Sequence, residues 1–225
     1  MFNIPKIIFL FGHRKQHGKD TCASIMESIL DKCGVSCKKT SFAKKLKKCV
    51  AEKYNLSYEK MDYEDYKKSI IEPYNKTVRE ILIQEGNLAR SFWPDIWACH
   101  AYQEIFESNC EIGIISDFRF PNEFDEQHKY LKYYLQKKNI EYSSYYQENY
   151  KVYKILVLRE NGTYINDGAD DALPDEKSYY DYLINNPCSK DWKNVLSHQI
   201  KIILKETYFL KYNNNKECFQ CLMES

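Results

Sequence analysis

At 225 residues the chain has room for one α/β domain with an inserted lobe and for a full hydrophobic core. Its 33 basic and 32 acidic side chains leave a net charge of +1, which argues against a nucleic-acid or membrane partner and makes any electrostatic function local. Nine cysteines at irregular spacings, and an early apolar run of only Ile7 to Phe11, argue for a reducing, cytoplasmic compartment and against a signal segment or a membrane span.

Short apolar runs alternate with longer periodic segments, the pattern of β-α units around a parallel sheet. The first run, Lys6 to Phe11, reads as a strand and opens into Gly12-His13-Arg14-Lys15-Gln16-His17-Gly18-Lys19-Asp20-Thr21. A strand that delivers the chain into a tight turn and then at once into a helix, here Lys19 to Lys32, aims several backbone N–H groups at one spot, where phosphate oxygens fit. Gly18 lets the backbone come close, Lys19 reaches a transferred phosphate, and Asp20 or Thr21 acts on a magnesium shell. Two of the chain's seven glycines fall in this segment. The usual phosphate loop has four residues between its glycines and Ser or Thr after the lysine, whereas here His13 to His17 intervene and Asp20 follows. Either His13 takes the first turn position or the loop carries an extra residue. The competing reading is a plain strand-turn-helix corner with an exposed lysine.

A second strand is expected near Ser36 to Phe42, then helices at Lys44 to Tyr54, Tyr63 to Ile71 and Lys76 to Ser91. That is more than one crossover needs, so residues 44–91 are expected to form a lobe over the sheet. Phe42, Leu46 and Val50 share one helix face among lysines, which by default is a solvated amphipathic helix; if its N-terminus receives a second phosphate, Lys47 is the cation best placed for it. On the third of these helices Arg79, Ile83 and Gly86 approximately share a face, as do Glu80, Gln84 and Asn87. The Gln84 amide can offer both a donor and an acceptor to a base edge, the competing reading being an exposed helix glutamine. A helix from Asp95 to Ser108 leads to a buried strand, Ile112 to Ser116, that ends in Asp117 and Arg119. Ligands of open α/β sheets bind at the carboxyl ends of strands, so Asp117 is expected beside the loop, holding a magnesium-bound water, with Arg119 on a phosphate in transfer; the competing reading is a helix-capping Asp and a surface Arg.

Pro121 to Lys137 reads as the next helix, and the tyrosine-rich run from Tyr142 to Tyr153 as an approach to a strand at Val152 to Leu158. The polar segment 161–177, with Gly162 and Gly168, reads as a loop or lid. A last strand, Tyr180 to Ile184, and a helix, Asp191 to Tyr208, complete the pattern. Cys218 and Cys221 have the spacing of half a metal site, but no second pair accompanies them, so no metal role is expected there.

In order and spacing, the loop ending Gly18-Lys19-Asp20-Thr21, the Phe42-Ala43 and Leu46-Lys47 steps, Arg79 with Gln84 and Gly86, Trp97, Ser116-Asp117 with Arg119-Phe120-Pro121-Asn122-Glu123, and Asp181-Tyr182-Leu183-Ile184-Asn185-Asn186 resemble the deoxynucleoside monophosphate kinases of phages and large DNA viruses. The resemblance implies a single kinase domain with a three-layer P-loop fold: a central parallel five-stranded sheet, a helical acceptor-binding lobe and a short lid. It also implies ATP and Mg2+ at a loop formed by Gly12, Arg14, Lys15, Gln16, His17, Gly18, Lys19, Asp20 and Thr21. Lys19, Asp117 and Arg119 would be catalytic, with Asp20 and Thr21 toward the metal and Arg159 near the donor nucleotide. Lys47, Arg79, Gln84, Arg90 and Trp97 would face a small-molecule nucleoside monophosphate. The segment 161–177 holds no arginine, although such kinases commonly bring lid arginines onto the phosphates, which leaves Arg14, Lys15 and Arg90 to compensate.

Two alternatives stay open. Gly168-Ala169-Asp170-Asp171-Ala172 and the Arg14-Lys15 pair also resemble animal-type phosphomevalonate kinase, and a non-catalytic ATP-binding protein would keep the loop without the transfer. A two-fold dimer is the default assembly for such a chain, and the compartment would be the host cytoplasm if the source is viral.

Overall fold

The computed structural model describes residues 4–12, 17–142, 150–160, 173, 177–187 and 189–209. Arg14, Lys15, Gln16, nearly all of 161–177, most of the tyrosine-rich run and the Cys218/Cys221 pair lie outside the described residues. Two compact units are present. One joins residues 1–41 to 102–225, and the other is Phe42–Ala101.

The first unit is α/β and contains a five-stranded, all-parallel sheet. Its strands are β1 (Ile7–Gly12), β2 (Cys37–Thr40), β5 (Ile112–Phe118), β6 (Lys151–Arg159) and β7 (Tyr182–Asn186), arranged in the order β2-β5-β1-β6-β7. From the central β1 the chain moves outward to β2 on one side and later to β6 and β7 on the other. At such a reversal, ligands of open sheets bind beyond the strands' carboxyl ends. Helices cover both faces, which is why all of β1 is buried and reads as one apolar run. Ile7, Phe9 and Phe11 pack with Ile114, Ile155 and Val157 beneath Met26 and Leu30 of α1 (Lys19–Lys32) and Leu196 and Ile200 of α8 (Trp192–Leu204). A π-helical turn, Lys205–Phe209, extends α8.

On the other face lie the second half of α5 (Ile96–Glu107) and α7 (Gln127–Lys137), where the Tyr102 ring stacks on Tyr130 with centroids 5.1 Å apart and Phe106 tilts against Tyr134 at 5.2 Å. The helix expected from Pro121 to Lys137 is in fact two, α6 (Asn122–Asp125) and α7. Between them Glu126 sits at φ −94° and ψ 9°, in the bridge region rather than the helical well, and the α ladder stops there.

The second unit is built from α2 (Ala43–Tyr54), α3 (Glu64–Lys68), a two-stranded antiparallel hairpin of β3 (Ile70–Ile71) and β4 (Lys76–Thr77), α4 (Val78–Phe92) and the start of α5. Leu46, Val50, Met61, Ile81 and Trp97 form its core. The hairpin replaces the ends of two expected helices. Ser69 turns extended (ψ 137°), Asn75 takes the left-handed conformation (φ 46°), and Ile70 and Ile71 pair with Thr77 and Lys76 instead of continuing α3. Thr77 then starts α4 through a reciprocal cap. Its hydroxyl accepts the Glu80 N–H, and its own N–H donates to the Glu80 carboxylate at 2.7 Å. Among the described residues, no helix is long and apolar enough to cross a membrane.

Candidate functional site

β1 ends at Gly12, which pairs with Leu156 of β6 and Phe118 of β5. A Cβ at Gly12 would lie 2.9 Å from the Phe118 ring, so the close approach of these strands requires glycine. Between Leu10↔Ile115 and Gly12↔Phe118, β1 advances two residues and β5 three, which places a bulge at Ser116 and Asp117. Bulges re-aim side chains. Here the Ser116 hydroxyl donates to Asp20 Oδ1 at 2.7 Å, tying the end of β5 to the first turn of α1.

Gly18 stands at φ 100°, a conformation that side-chain-bearing residues rarely adopt, and hands the chain to α1. The first helical bond is from Cys22 N–H to Gly18 O at 2.8 Å, so the main-chain donors before it point out of the helix end along its axis. Lys19 is buried (6% exposed), Asp20 is exposed and Thr21 is half-buried. The step before the helix is anchored to two other strands. Asn186, the last residue of β7, donates its amide N–H to the His17 carbonyl at 2.9 Å, and Arg159, the last of β6, donates its backbone N–H to His17 Nδ1 at 3.3 Å. The buried His17 imidazole is therefore bound to the end of the sheet and presents Nδ1 as an acceptor. Gly12 and His17 are thus both fixed to strands.

Beyond β5 the turn Arg119-Phe120-Pro121 is closed by Glu123, whose Oε2 accepts the N–H groups of Arg119 at 2.7 Å and Phe120 at 3.0 Å. Burial pushes the Glu123 carboxyl up to about 8, Asp117 pushes in the same direction, and the two N–H donors and the Arg119 charge oppose them.

These residues fit a bound ATP·Mg2+. A helix N-terminus with a buried lysine at its first position suits phosphate oxygens, and the anchored Asp20 carboxylate and Thr21 hydroxyl suit a magnesium shell. No group of three or more His, Cys, Asp or Glu side chains among the described residues is placed to hold a metal by itself.

In the second unit Lys47 pairs with Asp62 at 2.5 Å, Arg79 with Glu64 at 2.7 Å and Gln84 with Lys76. Arg90 donates to Asn87 at 2.7 Å. A Cβ at Gly86 would lie 3.0 Å from Leu46 and 3.5 Å from the Arg90 guanidinium. Trp97 is a core residue (8% exposed) whose indole N–H donates to the Gly86 carbonyl at 3.3 Å. Compared with known proteins, the chain matches no family model and no curated protein.

Ser116, Asn186 and Glu123 hold roles that the sequence alone does not assign. Asn186 could have been found from its place at the carboxyl end of the last strand, had that strand been set two residues later. Ser116 gains its role from the bulge, and Glu123 from a turn that buries it. Neither leaves a sequence signal.

Proposed function

We propose that this chain transfers a phosphoryl group from ATP·Mg2+ to a deoxynucleoside monophosphate. The observation that carries the reading is the corner at Gly18. A left-handed glycine leads into a helix whose first residue is a buried lysine, and the next carboxylate, Asp20, is tied to the end of the neighbouring strand by Ser116. In this reading Lys19 and the first-turn N–H groups of α1 bind the donor phosphates, and Asp20 and Thr21 hold the cation's shell. Arg119 neutralises charge at the carboxyl end of β5, and Asp117 orients water there. Bound Mg2+ supplies further neutralisation of the phosphate charge. Such a transfer needs positioning and charge neutralisation more than a protein nucleophile.

The acceptor side is assigned to Lys47, Arg79, Gln84 and Arg90 of the helical unit, whose cations and amide suit a phosphate and a base edge. The chain is expected to act in the cytoplasm without nucleic acid. ADP release measured with ATP·Mg2+ against a panel of deoxy- and ribonucleoside monophosphates, with phosphomevalonate as a further acceptor, tests the reading. Turnover on a nucleotide that is lost in Lys19→Ala supports it. Activity on phosphomevalonate alone, or ATP binding without turnover on any acceptor, overturns it. Gln84→Ala should raise KM for the nucleotide acceptor and leave ATP binding intact.

A further inference from the structure

Arg119 does not lie on a regular element. It follows the last paired residue of β5, Phe118, and precedes α6, in a stretch where neither ladder nor helix sets the main chain. One side chain does so: Glu123 Oε2 accepts both the Arg119 and Phe120 N–H groups. Glu123 is itself fixed from the opposite side. The hydroxyl of Tyr102, fully buried and stacked on Tyr130, donates to the Glu123 carbonyl at 2.7 Å, and the Glu123 N–H returns to Phe120 O at 3.0 Å. A buried carboxyl is costly to keep, and this one is 6% exposed. A surface glutamate at the start of a helix would incur no such cost.

We propose that Glu123 is a positioning residue for Arg119: its carboxyl locks the Arg119-Phe120 main chain so that the guanidinium is held at the carboxyl end of β5, where the phosphoryl group is transferred. The chain of contact runs from the aromatic layer through Tyr102 and the Glu123 backbone to the Glu123 carboxyl and the Arg119 N–H. The inference rests on the proposed kinase reading for its consequence in turnover, but not for the lock itself. Glutamine at position 123 keeps an oxygen that accepts both N–H groups. Alanine takes this acceptor away from both part-buried N–H groups.

The test uses the full chain, with Glu123→Gln, Glu123→Ala, Arg119→Ala and the Glu123→Ala/Arg119→Ala double variant. Amide hydrogen exchange at Arg119 and Phe120, read residue by residue in the nucleotide-free protein, is expected to be slow in the wild type and in Glu123→Gln and fast in Glu123→Ala. In turnover, Glu123→Ala is expected to lose on the order of 10²-fold in kcat, as a displacement of about 1 Å in a positioned group can cost. Its KM for ATP should hold, Glu123→Gln should restore kcat, and the double variant should fall no lower than Arg119→Ala alone. Exchange at these two amides that is equally fast in wild type and Glu123→Ala overturns the lock whether or not the protein turns over. Losses that add in the double variant, or a Glu123→Ala protein that melts earlier but keeps wild-type kcat well below its melting point, reduce Glu123 to a structural residue. Protected amides in a wild type that is silent on every acceptor would sink the kinase reading and leave the lock standing.

Discussion

At the carboxyl end of the sheet, polar groups are held by main chain or by a partner that main chain fixes. His17 is bound through its carbonyl and its ring, Asp20 is bonded by a serine on a bulge, and Glu123 is clasped by two N–H groups. In the helical unit, Lys47, Arg79 and Gln84 are held by other side chains, Asp62, Glu64 and Lys76. Apolar residues differ as well. Among the described residues, Tyr63, Ile70, Tyr74, Ile83, Leu88, Phe92 and Trp93 of the helical unit are exposed, against Tyr133 and Ile202 elsewhere. Groups tied to strand ends have their geometry before any ligand arrives, so under the proposed function their contribution to binding is pre-organisation. Pairs between partly exposed side chains are each worth at most about 1 kcal/mol and can be exchanged for a ligand's charge at little cost. One region reads as fixed and the other as adaptable.

The largest expected effect falls on the fixed region. Under the proposed function Lys19→Ala should lower kcat by about 10² to 10³-fold, the loss typical of one removed electrostatic contact to a transition state, with the fold unchanged by circular dichroism. A variant that keeps full turnover would show that the buried lysine serves packing alone.

The pH dependence of stability probes the same end of the sheet. The Glu123 carboxyl rises from 4.5 to about 8 on folding, so between those values the folded chain holds a proton that the unfolded chain has released. Its contribution to stability is complete below pH 4.5, falls as pH rises and is gone above about 8, with a slope of at most about 1.4 kcal/mol per pH unit. Melting temperature should therefore drop across that window, and Glu123→Gln, which has no proton to lose, should flatten the drop. An unchanged slope in that variant would place the titrating group elsewhere.

Gly18→Ala is next in size. The new Cβ would lie 2.6 Å from Asn186 Nδ2 and would stand at φ 100°. Strain of this kind costs about 1–3 kcal/mol, and relief by moving Asn186 would break its bond to the His17 carbonyl. Under the proposed function, lower thermal stability together with weaker ATP affinity is the expected result. Reduced stability with unchanged affinity would mean that the corner can shift without disturbing the proposed phosphate site.

How far the sequence foretold this contrast depended on what set each position. The Ile7 to Phe11 run and the Gly18-Lys19 step announce β1 and α1 because a strand buried on both faces and a helix start leave local signatures. The helices after β2 were legible as more than one crossover needs. The β3/β4 hairpin was not, because two-residue strands have no periodicity and the left-handed Asn75 that turns the chain looks like any loop asparagine. Glu123 reads as an ordinary helix glutamate until Tyr102, far away in sequence, is brought to its carbonyl. Trp97 was expected at a substrate and stands in the helical unit's core, bonded to Gly86. Its indole has the same appearance in sequence for either use.

The smallest effect tests the adaptable region. Asp62→Asn removes the charge that pairs with Lys47, and because the Asp62 side chain is 71% exposed the cost in stability should stay below about 1 kcal/mol. Its value lies in direction rather than size. If Lys47 is to meet an acceptor phosphate, Asp62 competes with that phosphate, and neutralising it should lower KM for the acceptor while KM for ATP stays constant. If Lys47 and Asp62 only brace α2 against the loop that follows it, KM should not move and the small loss should appear in melting temperature alone. A KM that rises would mean that the carboxylate aims the lysine instead of occupying it, and the helical unit would then be as pre-organised as the sheet end.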